Sequence, residues 1–253
     1  MFKSLVLGNY LFAPNGRFEP CGMFTAPHII AVFICFLIII TSIIILKRKA
    51  NEKLLKLLCK ISAPLLTVLE LMKMTHSFIN GDLNLDAWFP LSFCGLFIVA
   101  VWLSGYSHSR LKNFGDVFIA YGCPVGGITF MILPTTSLMS YPIWHYFSLY
   151  SLLFHSLMIL LGVLFLINEE RLTRKRYLTY IAFIVFFSVI SIAMNAIWGC
   201  NIMNLREPYN IPISFMQNMF SAFPPLYTAF VLTGYLLIPA VIGGLCGKIR
   251  KTD

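Results

Sequence analysis

Seven apolar segments, each long enough to cross a bilayer, divide this chain and restrict its fold more than any other feature. A transmembrane helix needs about 20 predominantly apolar residues. The candidate spans are residues 27–46, 55–77, 88–105, 114–133, 145–167, 178–200 and 224–246. We therefore predict an all-α, polytopic membrane protein, built as a bundle of seven transmembrane helices.

The overall composition agrees with this class. Hydrophobic residues make up 58% of the chain and charged residues only 11%, whereas soluble domains carry about 25% charged residues. This difference excludes a water-soluble fold. We predict three regions: an extracytoplasmic, interfacial N-terminal segment at residues 1–26, a transmembrane domain at 27–246, and a basic cytoplasmic tail at 247–253.

The charged residues indicate the orientation of the bundle. Basic residues gather in every second connection, at 47–56, 110–112, 171–176 and 248–251. The alternate connections contain Asp82 and Asp86, or Arg206 with Glu207. Because cytoplasmic loops carry an excess of Lys and Arg, this pattern predicts an N-terminus outside the cell and a C-terminus in the cytoplasm.

The net charge of +9 does not indicate a nucleic-acid partner. The 19 Lys and Arg lie in short loops between apolar segments and form no patch interleaved with aromatic residues. Basic loops of this kind contact anionic lipid headgroups. We expect a multi-pass protein of the cell membrane whose partners are membrane lipids, with no nucleic acid bound.

Six polar residues inside or at the ends of the spans are candidates for function. Such groups are costly in a bilayer and usually face the interior of a bundle. With a rise of 1.5 Å per residue and the topology above, all six lie between the midplane and the outer surface. The sequence therefore predicts one outward-facing polar pocket formed by His28, Glu70, Cys94, His155, Asn195 and Asn201.

Each candidate also has a purely structural interpretation. His28 suits an interfacial position, and Glu70 can pair with Lys73 at spacing i, i+3. Cys94 on an apolar helix is often a packing residue, and His155 can form a structural hydrogen bond. The two asparagines can equally hold helices together. These alternatives stay open at the level of sequence.

The seven cysteines are scattered through apolar segments and show no metal-binding CxxC spacing. We therefore predict no metal site and no cofactor. Cys21 and Cys200 are both expected outside the membrane, so a disulfide between them is an open alternative.

Four segments carry a resemblance to a known family: WFPLSFCGLF at 88–97, YGCPVGGITFMILP at 121–134, LYSLLFHSLMIL at 149–160 and NAIWGCNIMNLREP at 195–208. They resemble the YwaF-like family of bacterial integral membrane proteins, which is similar to the eukaryotic transmembrane protein 164 family. The most specific element is Asn195 followed by Gly199, Asn201, Met203 and Pro208. Two positions depart from the family pattern, which more often reads Pro-Leu-His-Leu-Cys followed by a polar residue; here Ser92 and Gly95 occupy them.

The resemblance implies an activity on lipids. The eukaryotic relatives are described as acyltransferases that move fatty acyl chains between phospholipids with a cysteine. The more distantly similar androgen-induced family hydrolyses fatty acid esters with a threonine and a histidine. Carried over by position, the resemblance assigns the nucleophile to Cys94 and the histidine to His155, with Glu70 or Asn195 orienting the imidazole.

Two functions therefore compete. The first is a membrane acyltransferase or ester hydrolase that acts on phospholipid acyl chains through Cys94 and His155. The alternative is a transporter or small-ligand-binding membrane protein without covalent chemistry, in which Glu70 serves as a proton or cation site.

Overall fold

The computed structural model describes residues 8–81, 86, 90–168 and 173–249, with side chains as far as residue 241 in the last helix. This part of the chain is helical and contains no strand. We number its α-helices as follows: α1 Ala26–Leu46, α2 Glu52–Ile79, α3 Leu96–Tyr106, α4 Ser109–Val117, α5 Cys123–Ile132, α6 Ser137–Ser140, α7 Tyr146–Asn168, α8 Arg174–Trp198, α9 Ser214–Ala222 and α10 Pro224–Ile249.

Parts of four sequence predictions lie outside the described residues. These parts are residues 1–7 of the N-terminal segment, Asp82 in the second connection, Arg171 in the fifth, and residues 250–253 of the tail. Residues 88 and 89 at the start of the predicted third span also lie outside them.

Five helical stretches of the described chain are long and apolar enough to cross a membrane. They are Ala26–Leu46, Ser109–Ser140, Tyr146–Asn168, Arg174–Trp198 and Pro224–Val241. The all-α class and the presence of transmembrane helices are thereby confirmed. Helix α2 has 28 residues but carries two Glu and four Lys, and α3 is apolar but has only 11 residues. The count of seven spans and the orientation of the termini stay predictions.

The third predicted span differs from the observed helix at its start. The prediction placed Cys94 inside a helix that begins at residue 88, whereas α3 begins at Leu96. Residues 90–95 form turns instead, in which the Ser92 carbonyl accepts a hydrogen bond from the Leu96 N–H at 3.0 Å. The hydroxyl of Ser92 accepts a second bond from the Gly95 N–H at 3.0 Å. The Ser92 side chain therefore stabilises the turn that precedes α3, a feature that the apolar pattern does not reveal.

The fourth predicted span is longer than expected at its start. Arg110 and Lys112 were assigned to a loop, but they lie in the first turn of α4. A π-helical turn at Phe118–Gly122 then joins α4 to α5. Pro124 follows directly and has no backbone N–H to donate, so the hydrogen-bond register changes at this point.

Helix α7 lies at the centre of the bundle and packs against α1, α2 and α5. Its contact with α5 is close because both helices present glycines. A Cβ on Gly127 would lie 2.5 Å from Ile159 Cγ1, and one on Gly162 would lie 2.6 Å from the Pro124 ring. Small residues thus let the two backbones approach, as is common between membrane helices.

The segment before α1 and the loop after α8 are both folded onto the bundle. The segment before α1 is held by a bond from the Cys21 N–H to the Tyr141 carbonyl at 2.9 Å. The loop after α8 buries Cys200, Ile202 and Met203. Cys21 and Cys200 are both free thiols, so the structure contains no disulfide between them.

Candidate functional site

Cys94 lies in the turn before α3 and faces α5. It is partly exposed, and its Sγ would be 3.2 Å from a Cβ built on Gly126. The preceding Phe93 is buried and stacks on Tyr235 of α10, with ring centroids 4.4 Å apart. Within the described residues the Sγ atom makes no hydrogen bond. The thiol therefore packs against α5 beside a residue that contacts α10, and it has no hydrogen-bond partner among the described residues.

His155 on α7 is buried with one ring nitrogen engaged. Its Nδ1 lies 2.7 Å from the carbonyl oxygen of Ser151, and because a carbonyl only accepts, Nδ1 carries the hydrogen. The ring stacks on Phe130 with centroids 3.7 Å apart and planes inclined by 6°. In its neutral form the imidazole consequently carries its lone pair on Nε2, the arrangement that a general base requires.

Cys94 and His155 both contact α5. Cys94 packs on Gly126 and the His155 ring packs on Phe130. These α5 positions are four residues apart, so they share one face of the helix and differ by about 6 Å along its axis. The points at which Cys94 and His155 contact α5 therefore lie on the same side of that helix, about one turn apart, and no hydrogen bond joins the two residues.

Glu70 on α2 is buried and both of its carboxylate oxygens are engaged. Oε2 accepts a hydrogen bond of 2.6 Å from the Tyr150 hydroxyl of α7. Oε1 pairs with Lys73, one turn along α2. The ion pair that the sequence allowed is therefore present, and Tyr150 adds a partner from the helix that carries His155.

His28 links the N-terminal segment to the end of α5. Its Nδ1 accepts a hydrogen bond from the Phe24 N–H at 3.1 Å, so Nε2 carries the hydrogen and donates to the Met131 carbonyl at 3.2 Å. Both ring nitrogens bond to backbone groups. In this structure His28 holds two segments together.

The two asparagines shape the loop after α8. Asn195 accepts from the Ile202 N–H at 2.7 Å and donates to the Ile202 carbonyl at 3.1 Å. The side-chain oxygen of Asn201 accepts from the N–H groups of Arg206 and Glu207, at 3.0 and 3.2 Å. Both amides thus replace backbone partners that this irregular loop lacks.

The six predicted residues fall into two groups. Glu70 and His155 lie on helices that pack together, and Cys94 lies beside Gly126 of α5, which Met158 of α7, three residues after His155, also contacts. His28, Asn195 and Asn201 instead bond to backbone groups of the segment before α1, the end of α5 and the loop after α8. A single pocket that contains all six stays a prediction.

A second buried polar cluster was missed at the level of sequence. Asp116 of α4 is buried, and its carboxylate accepts hydrogen bonds from Ser104 at 2.5 Å and from Lys112 at 2.6 Å. Lys112 also lies 3.4 Å from Glu52 of α2. The i, i+4 spacing of Lys112 and Asp116 is the signal that predicts such a pair on a helix. The order of apolar residues does not reveal the pair, because it predicts a loop at Lys112.

Among the described residues, no three His, Cys, Asp or Glu side chains are grouped so that they could hold a metal ion. The absence of a metal and of a cofactor stays a prediction.

The sequence of this chain matches one known family of proteins. The family model described as the TMEM164 family matches residues 23–242, most of the chain and all of the helices that carry the candidate residues. The chain belongs to the TMEM164 family. Its resemblance to the transmembrane protein 164 family is thereby confirmed, and the YwaF-like resemblance is compatible with it. Searches of curated proteins and of solved structures found no match.

The most specific motif of this TMEM164-family protein forms the loop after α8. Gly199 and Met203 both adopt positive φ angles, of 69° and 59°. The Met203 carbonyl accepts a hydrogen bond of 2.8 Å from the hydroxyl of Tyr235, whose ring stacks on Phe93. Tyr235 therefore contacts both Met203 of the motif and Phe93, the residue before Cys94.

The two departures from the family pattern have a joint explanation in this TMEM164-family member. A Cβ on Gly95 would lie 2.8 Å from the backbone carbonyl of Pro90 and 2.9 Å from the Ser92 hydroxyl. The turn therefore requires a glycine after Cys94, and Ser92 supplies the hydrogen bond that closes it. A polar side chain at residue 95 would need a different backbone.

Proposed function

We propose that this protein is a lipid-directed acyltransferase or ester hydrolase in which Cys94 is the nucleophile and His155 the general base. The observations that carry the proposal are the Nδ1–H tautomer of His155, which leaves Nε2 free to accept a proton, and the contacts of His155 and Cys94 with Phe130 and Gly126 on one side of α5. Membership of the TMEM164 family supports it, because the resemblance assigns a cysteine nucleophile to this position.

In the first half of the reaction, Nε2 of His155 takes the proton from Cys94 Sγ, and the thiolate attacks the carbonyl carbon of a phospholipid ester. The bond between that carbon and the glycerol oxygen breaks, and the leaving oxygen takes the proton back from Nε2. The products are a thioester on Cys94 and a lysophospholipid. Cysteine and histidine share proton transfer in this way in many acyl transfers.

In the second half, a hydroxyl group of an acceptor lipid, or water, gives its proton to Nε2 and attacks the thioester. The carbon–sulfur bond breaks, and Cys94 recovers the proton from His155. An acceptor lipid yields a transferase and water yields a hydrolase.

The spacing of the two residues is compatible with this order of events. An axial offset of about 6 Å leaves room for an ester carbonyl beside Cys94. Catalytic hydrogen bonds are often long without substrate and shorten in the complex. The surroundings, Phe93, Phe130 and Met158, are apolar, so a thiolate forms only when a base is close.

The proposal includes the membrane topology. We infer that α2 crosses the bilayer with Glu70 neutralised by Lys73 and Tyr150. In the same way, α3 together with the turn at 90–95 completes a third crossing. With seven spans and an external N-terminus in the cell membrane, Cys94 and His155 lie in the outer half of the bilayer. A lipid entering sideways from the outer leaflet then brings its glycerol ester near them.

The test is transfer of a labelled fatty acid from phosphatidylcholine by the purified protein in vesicles, with lysophospholipid as acceptor. Cys94→Ala and His155→Ala are each expected to abolish transfer. Cys35→Ala is the matched control, because Cys35 is a free, partly buried thiol on α1, and it is expected to retain full turnover.

Two results contradict the proposal. If Cys94→Ala retains turnover and His155→Ala loses it, a hydroxyl or water is the nucleophile. If the natural protein neither transfers the label nor reacts at Cys94 with a thiol probe that mimics an acyl ester, the alternative of a transporter or binding protein replaces it.

A further inference from the structure

A groove of about 560 Å³ lies between α4 and α8 at the ends where both helices begin. This is within the size range of small-molecule sites. None of its lining residues belongs to the candidate site or to the polar clusters described above. Its lining consists of Phe114 from α4 and Arg174, Lys175, Leu178, Thr179 and Ala182 from α8.

The rim of the groove is basic. Arg174 and Lys175 are exposed and form no ion pair within the part of the chain that the structure describes. Arg110 precedes Phe114 by four residues, so it lies on the same face of α4 one turn nearer the helix start. The rim therefore presents three positive charges at one end of the bundle.

The sequence around the start of α8 has a net positive charge. Residues 169–172 lie outside the described part, but by sequence the stretch 169–176 contains two acidic and four basic residues. By the positive-inside rule this end faces the cytoplasm.

The floor of the groove continues as an apolar strip along α8. Leu178 is 53% exposed, and the exposed side chains of Val185, Phe186 and Val189 follow it toward the middle of the helix. These positions recur at helical spacing on one side of α8. A positive rim above such a strip matches the shape of a phospholipid, a phosphate headgroup followed by an acyl chain.

We propose that the groove between α4 and α8 binds an anionic phospholipid of the cytoplasmic leaflet. Its phosphate lies against Arg174, Lys175 and Arg110, and one acyl chain lies along the α8 strip. Basic sites between membrane helices on the cytoplasmic side suit such headgroups. The site is independent of the acyl chemistry proposed for Cys94.

Native mass spectrometry of the full-length protein, with phosphatidylglycerol and phosphatidylcholine added separately, tests this site. We expect phosphatidylglycerol to be retained more strongly, and the double variant Arg174→Gln/Lys175→Gln to weaken its binding about tenfold or more, since each cation near a lipid surface contributes to affinity. Lys47→Gln/Arg48→Gln is the matched control. It removes two exposed cations that follow α1 and is expected to change binding by less than about twofold.

A second variant tests the groove independently, in case the double variant does not fold. Leu178→Glu places an acidic group in the floor of the groove at an exposed position and is expected to reduce phosphatidylglycerol retention without changing that of phosphatidylcholine. Equal losses in the groove variants and in the control would overturn the proposal. So would complete displacement of the lipid by glycerol 3-phosphate, because the site would then recognise a free phosphate ester.

Discussion

Tyr150 of α7 donates a hydrogen bond of 2.6 Å to Oε2 of Glu70 on α2. The two residues are 80 positions apart in the chain and both are buried. Because Lys73 occupies the other oxygen, the carboxylate is compensated on both sides. The contact ties α2, the most charged of the long helices, to the helix that carries His155.

We predict that Tyr150→Phe lowers the stability of the protein markedly. The change leaves a buried, charged acceptor without its donor, which costs about 1.5–3 kcal/mol. Tyr106→Phe is the control, since the Tyr106 hydroxyl donates to the Lys60 carbonyl at an exposed position. Thermal unfolding in one detergent, followed by intrinsic fluorescence, compares the two. Equal shifts in Tm would show that the hydrogen bond from Tyr150 to Glu70 contributes no more to stability than the exposed bond from Tyr106 to Lys60.

The loop after α8 is expected to depend on Asn195. Asn195→Ala removes both hydrogen bonds to Ile202, and at about 1 kcal/mol each this loosens residues 199–207. Hydrogen exchange of that loop should accelerate. Asn168→Ala removes one bond at the exposed end of α7 and should leave the exchange of the loop unchanged. Unchanged exchange in both variants would mean that other contacts hold the loop.

Acidification is expected to weaken the attachment of the segment before α1 to the start of α7, through His145. This residue precedes α7, and its Nε2 donates to the Ala13 carbonyl at 3.1 Å while Nδ1 accepts from the Phe147 N–H at 3.1 Å. Burial lowers the pKa of His145 to about 4, against the opposing effect of the bond to Ala13. The unfolded chain, with an ordinary pKa near 6.5, therefore binds more protons between these values.

It follows that the contribution of His145 to stability is complete above about pH 6.5 and is lost progressively as the pH falls toward 4. Tm measured from pH 7.5 to 4.5 should decrease, and the decrease should be smaller in His145→Gln. A variant with the same dependence on pH as the natural protein would assign the effect to another group.

The predicted orientation can be checked with single introduced cysteines in a background without reactive thiols. Tyr209→Cys lies in the connection between α8 and α9 and is exposed; an impermeant maleimide should label it on intact cells. Lys175→Cys at the start of α8 should be labelled only after the membrane is opened. Labelling of Lys175→Cys alone on intact cells would reverse the topology.

Much of the fold follows from the order of apolar residues. The predicted spans 27–46 and 145–167 agree within one residue with Ala26–Leu46 and Tyr146–Asn168. Helix ends are also marked locally, as by Thr25, whose side chain caps α1. Transfer into hydrocarbon depends on composition along a short stretch of chain, which explains why the pattern alone indicates these helices.

The partners of the polar residues depend instead on tertiary structure. His28 bonds to Met131, 103 residues away, and Glu70 bonds to Tyr150. The apolar pattern gives the depth of a residue but not the rotation of each helix about its axis, which determines whether two side chains meet. The turn that holds Cys94 likewise depends on the close approach of Gly95 to Pro90. The apolar residues around Cys94 predict a continuous helix, and this packing of one backbone segment on another is not visible in their order.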